Sequence, residues 1–234
     1  MRISGRKNDE IRKIEIIPNY LMHADGSCLI SFGDTKVICT ATVEEKVPPF
    51  LKGSGHGWIT AEYSLLPCSA NTRTEREAVR GKQSGRTHEI QRLIGRSLRA
   101  SFDLTALGER QIRADCDVIQ ADGGTRTASI CGACVALRLA LKQMRFRQNP
   151  LKHLVGAISC AIVDGEILAD PDYNEDSRAE VDANFVMTES GEAAEVQASG
   201  ENGLFDEKRL IEMLAVARKG IGRIFEIQKA ALAD

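Results

Sequence analysis

The sequence is first informative for what it lacks. It has no run of the roughly eighteen apolar residues that a membrane-spanning helix needs, so no span is predicted. Its opening, "MRISGRKNDEIRKIEI", is charged throughout and has no apolar centre, so it does not read as a secretory signal. Cysteines number seven, an odd count, and they are scattered through apparent strands and helices. That fits reduced, buried thiols in a cytoplasmic protein better than a disulfide framework. Histidine is sparse: His23, His56, His88 and His153 lie far apart, and none has metal-ligand spacing. There is no G-x-S-x-G elbow, and no cysteine–histidine pair suggests a nucleophile. Cys131 and Cys134 form a C-x-x-C, but inside an apolar helical run and without a second pair. They read as small packing residues rather than zinc ligands or a redox couple. No Pro/Gly/Ser-rich linker or tandem repeat divides the chain, which predicts one domain over residues 1–234.

What is present is an ordinary globular composition, 43% hydrophobic and 27% charged, with enough chain for a substantial core. "CLISFGDTKVICTATV" alternates on both sides of Gly33-Asp34 and predicts a hairpin. "WITAEYSLLP" predicts a strand closed by Pro67. Thr72 and Glu75 have capping-box spacing and predict a short helix ending near Gly81, with Arg73, Arg76 and Arg80 on one face. "SGRTHEIQRLIGRSLRASF" is an amphipathic helix with Ile90, Leu93, Ile94 and Leu98 as its stripe. "GERQIRADCDVIQADGG" reads as a strand and turn, and "TRTASICGACVALRLALKQM" as a second, buried helix. Two more hairpins follow, turning at Asp164-Gly165 and at Glu189 to Gly191. A long C-terminal helix is capped by Asp206. The elements predict an α+β fold of mixed sheets with packed helices.

Net charge is only −2, but it is unevenly placed. Arg73 to Arg99 holds eight basic and three acidic residues, whereas Asp170 to Asp182 holds six acids and one arginine. The basic segment suggests phosphate partners, and the acidic loop suggests a divalent cation such as Mg²⁺.

The stretch "IQADGGTRTASICGA" places glycines, threonines and an arginine at the mouth of a helix. Helix N-termini present free N–H groups and partial positive charge. Gly124, Thr125, Arg126 and Thr127 then make either an anion cradle or a tight turn with an ordinary cap. The stretch is not a Walker-type loop. "SGRTHEI" repeats the same elements around Arg86, where a cation in the first turn of a helix is disfavoured unless an anion compensates it. Asp176 and Asp182 read either as Mg²⁺ ligands or as a solvated loop, and Asp182 is harder to dismiss because it opens an apolar strand. Arg73, Arg76 and Arg80 read either as a solvated face or as an RNA backbone contact.

These segments together resemble the ribonuclease PH family over nearly the whole chain. The resemblance rests on "SGR" near the start, "GDTKVICTATVEEKVPPFLKGSGHGWITAEYSLLP", "EAVRGKQSGRTHEIQRLIGRSLRA", "DCDVIQADGGTRTASICGA", and "DYNEDSRAEVDANFVMT" leading to "EVQ". It implies a ribonuclease PH-like fold, of the ribosomal protein S5 domain 2-like type. It also implies a homohexameric ring, a trimer of dimers, without a membrane. The implied activity is phosphorolysis: inorganic phosphate, as co-substrate, trims nucleotides from the 3′ ends of transfer RNA precursors and other RNAs and releases nucleoside diphosphates. The reverse reaction adds nucleotides. Carried onto this chain, Arg86, Gly124, Thr125 and Arg126 hold phosphate, and Asp176 and Asp182 bind Mg²⁺ or assist proton transfer. Arg73, Arg76 and Arg80 contact transfer RNA. The chain departs from the pattern at Cys68, where an arginine is common, at Ser64, where glycine is usual, and at Cys131 and Cys134. A hydrolytic nuclease and a catalytically silent RNA-binding ring subunit are the competing readings. The second would be expected to lack one of Arg86, Arg126, Asp176 or Asp182.

Overall fold

The computed structural model describes residues 2–233. A five-stranded sheet is built from β1 (Ile14–Pro18), β2 (Gly26–Phe32), β3 (Thr35–Glu44), β4 (Trp58–Leu65) and β5 (Gln111–Gln120), in the order β1-β2-β3-β5-β4. Alternation decides its faces: Val37, Cys39 and Ala41 of β3 are buried while the residues between them are not. The β2–β3 hairpin turns at Gly33, in the left-handed region at φ 56°, as its sequence predicts. β1, an edge strand, was not among the predicted elements. β4 runs parallel to β5, and such a pair needs a crossover. The crossover contains α1 (Glu77–Arg80), α2 (Gly85–Ala100) and α3 (Leu104–Leu107).

After β5 comes α4 (Thr125–Lys142), buried at every residue from Thr127 to Leu137. Its apolar residues face all directions because it lies between the first sheet and the second. Ile130 and Leu137 are fully buried, and each contributes ~1.5–3 kcal/mol by leaving water. Gly132 permits a close approach to the first sheet: a Cβ there would lie 2.6 Å from Cys39 Sγ.

The second sheet is antiparallel and ordered β7-β6-β8-β9, from β6 (Val155–Val163), β7 (Glu166–Ala169), β8 (Val181–Thr188) and β9 (Ala193–Gly200). Between β7 and β8 sits α5 (Tyr173–Asp176), and the chain closes with α6 (Glu207–Ala233). Asp206 caps α6 by accepting from the Arg209 N–H at 2.9 Å, as expected.

The C-x-x-C has a structural use. β7 pairs with β6 only from Cys160 onward, which leaves earlier N–H groups on that edge without a strand partner. Cys131 Sγ accepts from Ala157 N–H at 3.2 Å and Cys134 Sγ from Val155 N–H at 3.3 Å. Burial pushes both thiols up, Cys134 to about 11, so neither is a thiolate at neutral pH. All seven cysteines are free, and all but Cys68 are buried. One buried cluster runs through both sheets and their helices. Among the described residues no helix is long and apolar enough to cross a membrane.

Candidate active site

The chain leaves β5 at Gln120 and enters α4 through Gly123 and Gly124, both left-handed at φ 75° and 66°. No side chain caps α4, so its first N–H groups stay open to a ligand. The glycines have a second reason to be bare: a Cβ on Gly123 would lie 2.7 Å from the Pro171 carbonyl oxygen. The turn is therefore pressed against the acidic segment as well as open to an anion. The two threonines separate in role. Thr125 shares a 2.8 Å hydrogen bond with the Tyr63 hydroxyl and faces the cavity. Thr127, expected to add a donor, is fully buried and donates back to the Gly124 carbonyl at 2.9 Å.

Arg86 lies in the first turn of α2. The likeness of "SGRT" to "GTRT" ends at that arginine, because here Ser84 caps the helix by accepting from Thr87 N–H at 3.2 Å. Glu77 accepts from Thr87 Oγ1 at 2.7 Å and from Ser84 N–H at 3.0 Å, which holds its carboxyl below the usual range and ties α1 to α2. Arg86 and Arg126 line one cavity of about 350 Å³ together with Gly124 and Thr125.

Asp176 and Asp182 form another wall of the same cavity. Asp176 ends α5, whose capping box, Asp172 with Glu175, is complete. Asp182 is the second residue of β8. Desolvation raises both carboxyls; Asp176 raises Asp182 further, while Arg126 pulls both down. Asn184 lies beside them, donating to Asp182 Oδ2 at 3.4 Å and accepting from Ser159 Oγ at 2.8 Å. The donor set fits a divalent cation: two carboxylates on one wall, each held at a cost in its ionised form. Among the described residues no group of three or more His, Cys, Asp or Glu side chains could hold a metal, so water and phosphate oxygens would complete the shell.

The strongly negative loop expected from sequence needs correction. Three of its six acids are already neutralised by arginines of the N-terminal segment. Arg2 pairs with Glu175 at 2.6 Å, and Arg12 with Asp170 at 2.6 Å. Arg6 reaches Asp170, Asp172 and Glu175 at 3.7, 3.6 and 3.4 Å. Arg2 and Arg12 are buried. Sequence reasoning missed all three, because partners some 160 residues away leave no local signal.

The arginine segment also differs from its prediction. Thr72 and Glu75 make no capping box: Arg76 is extended at φ −62°, ψ 132°, and only Glu77–Arg80 is helical. The loop instead folds back, with Thr74 N–H donating to the Pro67 carbonyl at 2.8 Å. Arg73, Arg76 and Arg80 therefore do not share a helix face. Arg76 and Arg80 border a cavity of about 990 Å³ that adjoins the first through Tyr63, Leu65, Thr74 and Arg86. Arg73 is exposed but borders neither cavity. Arg80 is engaged by Glu75 at 3.0 Å. Of the departures from the family pattern, Cys68 is exposed in this loop, and Ser64 borders the larger cavity but not the smaller, its hydroxyl donating to Asp117. Tyr63 and Tyr173 also line the cavity and were not singled out from sequence.

The first domain model of the 3′ exoribonuclease family matches residues 10–143, and the second domain model of that family matches residues 153–220. Among solved structures, Rrp46 from rice (Oryza sativa) shares the fold at TM-score 0.82 and 21% identity, over 99% of this chain and 100% of that one. The Archaeoglobus fulgidus exosome with RNA bound to its active site matches at TM-score 0.82 and 26% identity, over 96% of this chain and 91% of that one. An archaeal exosome core matches at TM-score 0.77 and 25% identity, over 97% of this chain and 91% of that one.

Proposed function

The chain belongs to the 3′ exoribonuclease family, and from that premise we propose that it is an active, phosphate-dependent exoribonuclease trimming the 3′ ends of transfer RNA precursors. The observation that carries this reading is one cavity lined by Arg86, Gly124, Thr125, Arg126, Asp176 and Asp182. Cationic donors on one side suit a bound phosphate, and carboxylates on the other suit the RNA end and its cation.

In the proposed reaction an oxygen of inorganic phosphate attacks the 3′-terminal phosphodiester. The new P–O bond joins that oxygen to the scissile phosphorus, and the bond to the penultimate 3′ oxygen breaks. A nucleoside diphosphate leaves, and the RNA keeps a 3′ hydroxyl. Arg86 and Arg126 orient the attacking anion and offset its repulsion from the substrate phosphate. Thr125 and the first N–H groups of α4 add donors to the same oxygens. Asp176 and Asp182 would hold Mg²⁺, which when bound supplies positive charge at the scissile phosphate and the departing oxygen. Their raised carboxyls also suit one of them to deliver the proton to that oxygen. Arg73, Arg76 and Arg80 would contact the backbone of the incoming RNA.

The exosome relatives favour assembly into a ring, proposed here as a homohexamer of single-domain subunits, and the buried free thiols favour the cytoplasm. A silent ring subunit would be expected to lack one or more of Arg86, Arg126, Asp176 and Asp182, and all four are present, which weighs against that reading. The test is a 3′-extended transfer RNA incubated with Mg²⁺, with and without inorganic phosphate. Release of diphosphates only with phosphate is expected. Monophosphates released without it would mean hydrolysis, and no release would return the silent subunit.

A further inference from the structure

Arg12 takes no part in that chemistry, yet it touches both halves of the cavity's frame. It lies just ahead of β1 and is buried. Its Nε donates to Asp170 Oδ2 at 2.9 Å and its Nη2 to Asp170 Oδ1 at 2.6 Å, a two-pronged grip on a carboxylate that is 1% exposed. The Arg12 backbone N–H reaches the same Oδ2 at 2.8 Å. The rest of the guanidinium faces the other way. Nη1 donates to the Asp122 carbonyl, and Nη2 to the Gly123 carbonyl at 3.4 Å. A Cβ on Gly124 would lie 3.0 Å from Nη2, so the fork sits directly beneath the glycine turn.

Each end of this bridge leads to a different part of the cavity. Asp122 to Gly124 run straight into Thr125 and Arg126. Thr35 braces that turn, donating to the Gly123 carbonyl at 2.6 Å and accepting from Asp122 N–H at 2.8 Å. Asp170 opens the segment that becomes α5 and Asp176, and its backbone is left-handed at φ 48°. Aspartate tolerates this region better than most side chains, and here the buried contacts of its carboxylate hold it there. The two segments also meet directly, with Tyr173 N–H donating to Asp122 Oδ1 at 3.2 Å.

We propose that the Arg12–Asp170 pair is a positioning device that fixes the spacing between the glycine turn before Arg126 and the short helix bearing Asp176. This rests on the functional reading above. A buried ion pair is a poor source of net stability, and well-packed apolar groups of similar volume often replace one without loss. Geometry is what it supplies. The planar fork meets both oxygens of the carboxylate and two carbonyls with four N–H bonds, one more than the three donors of an ammonium allow. Misplacing reacting groups by about 1 Å can cost on the order of 100-fold in rate.

The test compares Arg12→Lys, and the double variant Arg12→Met with Asp170→Leu, against the unaltered protein. Four quantities are read: melting temperature, calorimetric affinity for inorganic phosphate, kcat, and KM for the RNA. Arg12→Lys is expected to keep RNA KM within about twofold, to bind phosphate more weakly, and to lose about 10- to 100-fold in kcat. The apolar pair is expected to melt lower, because leucine tolerates the left-handed backbone at position 170 less well than aspartate, and to show the same kinetic loss while folded. A folded apolar pair with unaltered kcat and phosphate affinity overturns the proposal, as does Arg12→Lys with both unchanged. If the apolar pair fails to fold, Arg12→Lys alone decides. If the unaltered protein releases no diphosphate, the functional reading falls by itself. The positioning role is then decided by calorimetric phosphate affinity, and an unchanged affinity in Arg12→Lys overturns it.

Discussion

The hydroxyls of Tyr63 and Thr125 lie 2.8 Å apart, joining β4 of the first sheet to the first residue of the central helix. Tyr63 is 3% exposed and stands where the two adjoining cavities meet. Its hydroxyl holds the Thr125 oxygen in place at the wall of the anion site. Tyr63→Phe removes the partner without emptying the site. The expected result is a rise in KM for phosphate of about two- to tenfold, with RNA KM unchanged, as one neutral hydrogen bond predicts. Steady-state kinetics at varied phosphate checks it, and an unaltered phosphate KM would remove Tyr63 from the anion site.

Arg126→Ala removes a charged fork from the cavity wall. Phosphate affinity should fall about 10- to 100-fold, the range for a hydrogen bond to a charged group, and phosphate-dependent trimming should fall with it. The melting temperature should fall slightly at neutral pH, because the Arg126 guanidinium makes no hydrogen bond or ion pair among the described residues but its charge offsets those of Asp176 and Asp182. RNA binding in phosphate-free buffer should be retained. Near-normal trimming at low phosphate would refute the cradle.

Asp182 links function to stability. Burial first, and Asp176 second, raise its carboxyl, so the folded chain disfavours the ionised form. That cost is present above the folded-state pKa and vanishes below the unfolded value of roughly 3.9, where both states are protonated. Without divalent cation at pH 7.5, Asp182→Asn should therefore raise Tm by about 2–4 °C, equivalent to ~1 kcal/mol in a chain of this size. The gain should shrink toward zero near about pH 3. Added Mg²⁺ should raise Tm of the unaltered protein more than that of the variant. Scanning calorimetry across pH reads both effects, and identical melts at pH 7.5 would mean the carboxylate is not strained.

The exposed arginines should divide by their partners. Arg73 and Arg76 make no ion pair among the described residues, whereas Arg80 is engaged by Glu75. The double variant Arg73→Ala with Arg76→Ala should weaken transfer RNA binding and reduce the slope of log K against log salt by about 1.4, two single-strand phosphate contacts. Arg80→Ala should change the slope less. Binding measured across a salt series decides, and an unchanged slope in the double variant takes this loop off the RNA path.

The sequence by itself determined the hairpins at Gly33, Gly165 and Gly191, the amphipathic α2 and the buried α4, and its family resemblance pointed to six of the residues that line the cavity. The hairpins and helices are local properties. Period-2 and period-3.6 patterns fix which faces are buried, glycine marks left-handed turns, and a capping residue marks where a helix begins. Capping spacing misled at Thr72 and Glu75, where a tertiary hydrogen bond to Pro67 bends the loop away from helix. The complete box formed at Asp172 and Glu175. Only the tertiary structure decided which acids of the 170–182 loop face the cavity. Arg2, Arg6 and Arg12 consume three of them through ion pairs across the whole chain, and charge counting along a sequence cannot see such pairs. Arg12 shows why: its guanidinium joins segments 110 and 158 residues away, and its orientation exists only once both sheets have packed around α4.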